Sequence, residues 1–362
     1  MKYIDEFRNP ALARRLLGEI AARSRQSINL MEFCGGHTHA IFKFGIRQLL
    51  PPTVRLLSGP GCPVCVTANA DLDRAIAIAQ LPDVITTTFG DMLKVPGSQS
   101  SLQAARAEGA DVRIVYSTLD AVQIARQNPE QSIVFLGVGF ETTAPTIAAA
   151  LLQAEALNLD NFYVLSMHKL TPPATQAILN AGEVRLSGVI GPGHVTTIIG
   201  SEAWQFLPRD HGIPVAVAGF EPLDILRAVR ALVGQAEGGE ATVTNTYSRS
   251  VRPEGNCTAI EVMYRVFKLS DAEWRGFGVV PQSGLALRDE YARFDAARAF
   301  SVDPGPVREH KGCRCGEVLR GVIAPPQCPL FRHVCAPQNP IGPCMVSAEG
   351  ACAAYFMYGE EI

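Results

Sequence analysis

Val54-Arg55-Leu56-Leu57-Ser58-Gly59-Pro60-Gly61-Cys62-Pro63-Val64-Cys65 is the stretch on which the reading of this chain turns. The apolar run Val54 to Leu57 has the length of a buried strand, Gly-Pro-Gly ends it, and Asp71 to Gln80 follows with helical spacing. A strand turning at once towards a helix is the unit of a parallel α/β sheet, whose ligand-binding loops leave the carboxyl ends of the strands. The C-x-x-C at that point lets Cys62 and Cys65 close a local disulfide, and a helix N-terminus would favour the thiolate of one of them. A dithiol switch and a metal clip both suit the pattern, as do two small buried cysteines in a tight turn.

The same alternation extends outward. Apolar runs recur at Ile28 to Met31, Val84 to Thr87, Val112 to Tyr116 and Ile133 to Val138, and again at Phe162 to Ser166, Gly188 to Ile190 and Val215 to Ala218. Read in order, they form two parallel α/β units. Gly191-Pro192-Gly193-His194 echoes Gly59-Pro60-Gly61-Cys62, which suggests an internal duplication, although such turns recur easily in a chain with 32 Gly and 25 Pro. The expected architecture is two similar parallel-sheet α/β domains, 25–155 and 156–236, with a cleft between them. Cys34, Cys62 and Cys65 would line one wall, His168 and His194 the other. Gly234 to Glu240 reads as a surface linker to a third, mostly irregular and helical region, 237–362. Asn9 and Pro10 mark the start of an amphipathic helix, with Leu12, Leu16, Leu17 and Ile20 on one face, and residues 1–24 are expected to pack on that third region.

Six of the ten cysteines fall in the third region, as Cys313, Cys315, Cys328, Cys335, Cys344 and Cys352. Zinc knuckles prefer two to four residues between paired ligands, and here the tight pair Cys313/Cys315 has one residue between. Scattered thiolates in loops shaped by Gly and Pro suit an iron–sulfur cluster better, with structural zinc and unmetallated thiols as the other readings. Spacing does not say which four cysteines bind; two are left over.

Cys34-Gly35-Gly36-His37 also follows an apolar run, and its glycines allow backbone to approach a ligand closely. Cys34 is therefore a candidate metal ligand or nucleophile, with His37 beside it. Gly139-Phe140-Glu141-Thr142-Thr143 lacks the P-loop lysine and the dinucleotide fingerprint, so Glu141 is as much a helix-start charge as a catalytic or binding acid. His168 and His194 are binding candidates or plain loop residues.

A net charge of −3 and a pI near 6.2 give no footprint for nucleic acid. The acidic start Met1-Lys2-Tyr3-Ile4-Asp5-Glu6 is unlike a signal peptide, and the uncharged stretches Leu56 to Ala70 and Leu186 to Ser201 fall short of a bilayer span. A cytoplasmic protein without membrane segments is expected, with thiols used for metal or redox chemistry.

Taken together and in this order, Cys34-Gly35-Gly36-His37, Gly59 to Cys65, Gly139 to Thr143 and the cysteine block ending Gly350-Ala351-Cys352-Ala353-Ala354-Tyr355 resemble the HypD family of hydrogenase maturation. The resemblance covers nearly the whole chain. It implies a four-iron four-sulfur (4Fe-4S) cluster like that of ferredoxin:thioredoxin reductase on Cys313, Cys328, Cys335 and Cys352, with Cys315 and Cys344 as an adjacent thiol pair. It also implies that Cys34 holds a transient iron together with the small partner HypC, beside the dithiol Cys62/Cys65. On this scaffold iron would receive cyanide from HypE, and carbon monoxide, before delivery to the large subunit of nickel–iron hydrogenase. The competing function is an iron–sulfur-dependent thiol–disulfide oxidoreductase acting on a protein client.

Overall fold

Each of the eight apolar runs forms a strand in the computed structural model, which describes residues 4–359. They are β1 Ile28–Glu32, β2 Val54–Ser58, β3 Val84–Thr88, β4 Asp111–Ile114, β5 Ser132–Gly137, β6 Phe162–Ser166, β7 Gly188–Pro192 and β8 Val215–Ala218. Three further strands follow, β9 Val243–Asn245, β10 Phe267–Trp274 and β11 Gly278–Leu287. Residues 1–3 of the acidic start and of the opening helical segment, and residues 360–362 of the third region, lie outside the described residues.

The two parallel sheets are present, but their membership corrects the division into an early and a late series. One sheet runs β2-β1-β7-β8-β9 and the other β4-β3-β5-β6. The boundaries 25–155 and 156–236 therefore cut through both sheets. Hydrophobic period identifies strands; it does not identify their neighbours, because the backbone ladder pairs any sequence and parallel neighbours are joined by long crossovers. For the same reason the two Gly-Pro-Gly turns do not face each other from separate units. Both belong to the first sheet, one after β2 and one at the end of β7.

Register then positions the site. Glu32 of β1 stands opposite Ser58 of β2 on one side and Ile190 of β7 on the other. The segments that leave these three strands, carrying Cys34, Cys62 and His194, consequently emerge side by side at one sheet edge.

The opening helix, Pro10–Arg23, starts as expected. The Asn9 side chain accepts from the N–H groups of Ala11 and Leu12 at 2.9 and 3.2 Å, and Pro10 takes the first helical position. Its placement differs from expectation, since it packs on the helix Pro222–Gly238 over the five-stranded sheet, with Ile20 fully buried there. Pro222–Gly238 presents Leu223, Leu226, Val229, Leu232 and Val233 to the same apolar cluster as Ile20. That long helix also overturns the proposed linker: Gly234 is helical, and the chain leaves the helix only at Gly239, in the left-handed conformation. Tertiary packing outweighs the modest helix penalty of one internal glycine.

β10 and β11 form an antiparallel hairpin not anticipated from the sequence. Phe267, Leu285 and Leu287 from it enter the core of the four-stranded sheet with Phe135, Phe162 and Leu151. From Gly312 onward the chain is irregular with short helical turns, closing in the helix Ala351–Tyr358. No helix among the described residues is long and apolar enough to cross a membrane.

Candidate thiol and metal site

Cys34 caps the helix Gly35–Lys43 directly after β1. Its N–H donates to Glu32 at 2.9 Å, and Thr38 Oγ1 donates to the other oxygen of the same carboxyl. Burial raises Glu32 to about 8. Cys34 itself is 9% exposed, and burial, reinforced by the charge of Glu349, pushes its thiol up to about 12. The amides of Gly36 and His37 favour the thiolate but lose to desolvation. At rest this sulfur keeps its proton.

The loop after β2 lies against Cys34. Gly35 N donates to Gly61 O at 2.9 Å, and a Cβ on Gly61 would collide with the backbone of Cys34. Cys62 and Cys65 are joined in a disulfide, both buried. Cys62 caps and Cys65 lies within the single turn Pro63–Val66, separate from Asn69–Ala79, so the dipole expected to activate a thiolate is reduced to one turn.

Phe220, just beyond β8, is the residue whose role the sequence did not disclose. Its ring stacks on His37 at 4.6 Å between centroids and on His194 at 3.8 Å. His194 therefore stands on the same wall as Cys34, not across from it. His37 Nε2 lies 3.0 Å from Gly219 O and 3.2 Å from Ala218 O, and only as a donor can it satisfy them; Nδ1 is left as a buried lone pair without a hydrogen-bond partner among the described residues. Burial lowers His37 to about 4, and lowers His194 as well, so His37 is neutral.

Glu349 was also missed. It arrives from the cysteine-rich region, packs against Gly35 so closely that a Cβ there would clash, and lines a cavity of about 380 Å³ with Asp91, Pro63, Phe140 and Thr143. Nothing local in Ala348-Glu349-Gly350 signals this. Glu141, from the same Gly139–Thr143 loop, does not line that cavity; its carboxyl accepts from Thr171 N at 2.8 Å and is raised to about 7 by burial. His168 is likewise apart from Cys34. Its Nδ1 lies 2.9 Å from Ser166 Oγ, its ring meets that of Phe267 edge-on, and burial lowers it to about 3.

All six C-terminal cysteines line one small hollow of about 20 Å³, together with Leu330, Phe331 and Met345. Cys315 Sγ and Cys344 Sγ are 2.6 Å apart. Contacts from the Cys313 and Cys344 thiols hold Cys315 well below the usual thiol range, while Cys344, the donor to it, is raised. Gly342 leaves room here, because a Cβ would sit 2.6 Å from Cys313 Sγ. Among the described residues no three His, Cys, Asp or Glu side chains gather as ligands of a single metal ion. The hollow is linked to the first site: Cys65 Sγ lies 3.8 Å from Pro343 O, next to Cys344.

Residues 11–359 match the family HypD, described as the hydrogenase formation hypA family. The chain is 50% identical to a hydrogenase maturation factor HypD of Azotobacter vinelandii, over 100% of this chain and 98% of that one. It is 47% identical to one from Cupriavidus necator (99% and 97%) and 45% identical to one from Escherichia coli strain K12 (100% and 99%).

Proposed function

The chain belongs to the HypD hydrogenase-formation family, and from that premise we propose that it is the scaffold on which iron receives cyanide and carbon monoxide during hydrogenase maturation. Cys34, with a cysteine of HypC, is the anchor for that iron, and HypE is the cyanide donor. One observation carries this reading: Cys34, the Cys62–Cys65 disulfide and the Cys315/Cys344 pair stand in a contiguous line through Gly61 and Pro343.

The electrostatics support an anchor filled only on demand. A thiol held near 12 stays protonated until a cation displaces the proton, and Glu349, a carboxyl raised by burial and by Asp91, is placed to accept it. Phe220 and the buried surroundings of Cys34 exclude water from a reactive cargo. Reducing the Cys62–Cys65 disulfide takes two electrons and two protons, which would free two more soft donors beside Cys34.

The cysteine-rich hollow fits a resident cluster better than zinc. Its lining holds six thiols, more than the four a tetrahedral ion takes, with no imidazole or carboxylate among the described residues that line it. Cys313, Cys328, Cys335 and Cys352 would hold such a cluster, leaving Cys315 and Cys344 as the thiol pair. When bound it would supply single electrons. The oxidoreductase reading is disfavoured by access: Cys62 and Cys65 are 3% and 0% exposed, too enclosed for a protein client to attack directly.

The test is infrared spectroscopy of the chain copurified anaerobically with HypC. Cyanide and carbonyl stretches are expected, and they should vanish in Cys34→Ala while the iron of the C-terminal region is retained. Parallel loss of all iron, or stretches that persist without Cys34, would overturn the assignment.

A further inference from the structure

The outer edge of the five-stranded sheet carries a second polar site that the maturation chemistry does not use. β2 is the edge strand, and beside it lies a cavity of about 210 Å³ closed on its far side by residues 321–325 and by Tyr355. Two arginines, Arg47 and Arg55, are among its lining residues, close enough for the charge of Arg55 to act on Arg47. Arg47 is clamped between the rings of Phe42 and Tyr355, each 5.0 Å from its central carbon, and donates to Tyr355 Oη and Leu56 O. Its Nε is buried and has no partner among the described residues. No carboxylate lines the cavity among those residues. Glu32, the acid whose field reaches Arg47, already accepts from Cys34 N and Thr38 Oγ1.

Arg47, with an unsatisfied buried donor, loses solvation and is repelled by the exposed Arg55; burial, with Arg55 adding to it, draws Arg47 down to about 10. An oxyanion would relieve both costs, because a planar guanidinium offers paired donors matched to carboxylate and phosphate oxygens. We infer that the Arg47/Arg55 cavity is a binding site for a small oxyanion, a phosphate or carboxylate group. Its volume lies below the range of drug-sized ligand sites, which selects a compact anion over a nucleotide. The walls are the strand that leads to Cys62 and the helix that carries Cys352, so a bound anion would brace the cysteine-rich region against the first sheet. If Arg47 were only a brace between Leu56 and Tyr355, the exposed Arg55 would have no part in it.

The full-length chain is titrated by calorimetry at constant ionic strength with inorganic phosphate and, separately, with acetate. Saturable binding of at least one is expected, and the one that binds identifies a phosphate or a carboxylate as the natural group. Arg55→Gln, on an exposed strand position, should weaken binding about tenfold or more without lowering the unliganded melting temperature. Arg55→Lys should recover part of the loss. Absence of saturable binding for both anions, or unaltered affinity in Arg55→Gln, overturns the assignment.

Discussion

Iodoacetamide is expected to spare Cys34 in the folded, metal-free chain. The thiol is raised from 9.0 to about 12, chiefly by burial, so its thiolate fraction at neutral pH falls about a thousandfold. A more basic thiolate is also more nucleophilic, and a Brønsted coefficient of about 0.4–0.5 returns about twentyfold. The net slowing is about fiftyfold, before the restriction of a side chain only 9% exposed is counted. The assay is timed alkylation near neutral pH followed by peptide mass spectrometry, with the exposed Cys257 as internal reference. Glu349→Gln removes the second-largest cause of the shift and should speed labelling of Cys34 without changing Cys257. Labelling of Cys34 as fast as Cys257 in the native chain would refute the picture of a sulfur that holds its proton until metal arrives.

Two further outcomes follow from the geometry. Glu141 is raised from 4.5 to about 7, so the folded state binds its proton more tightly than the unfolded state. The associated stability is present below about pH 4.5 and is lost as pH rises through about 7, a change of up to about 3 kcal/mol. Glu141→Gln, which does not ionise, should flatten the wild-type decline measured by urea unfolding between pH 5 and pH 8; an unchanged slope would contradict the assignment. Gly61→Ala places a methyl 2.5 Å from Cys34 Cα and 2.6 Å from Phe33 C, backbone atoms that cannot swing aside. A loss of about 1–3 kcal/mol in denaturant unfolding is expected, and a neutral substitution would show that the two loops do not pack as described.

Much of the site was legible because it depends on local chemistry. Cys34, His37 and the Cys62/Cys65 pair each follow an apolar run, and a parallel strand delivers whatever follows it to the carboxyl edge. The histidines were harder. His194 was expected opposite Cys34, yet β7 pairs with β1, so Phe220 stacks it into the same cluster as His37. His168 and Glu141 look like site residues in sequence, but His168 is bonded to its near neighbour Ser166, and Glu141 to Thr171, 30 residues further along. Glu349 has no local signature, since its proximity to Cys34 arises from the fold of a region some three hundred residues further along the chain.

By itself the sequence determined eight of the eleven described strands, the turns that end them and the kinds of donor placed at those turns. Side-chain period, glycine and proline geometry and thiol chemistry are all properties of short segments. The tertiary structure alone decided which strands are neighbours, that the opening helix covers the first sheet, and that six scattered thiols surround one hollow. Those outcomes depend on pairing and burial between distant segments, where backbone hydrogen bonds read no sequence and the best-packed surface wins.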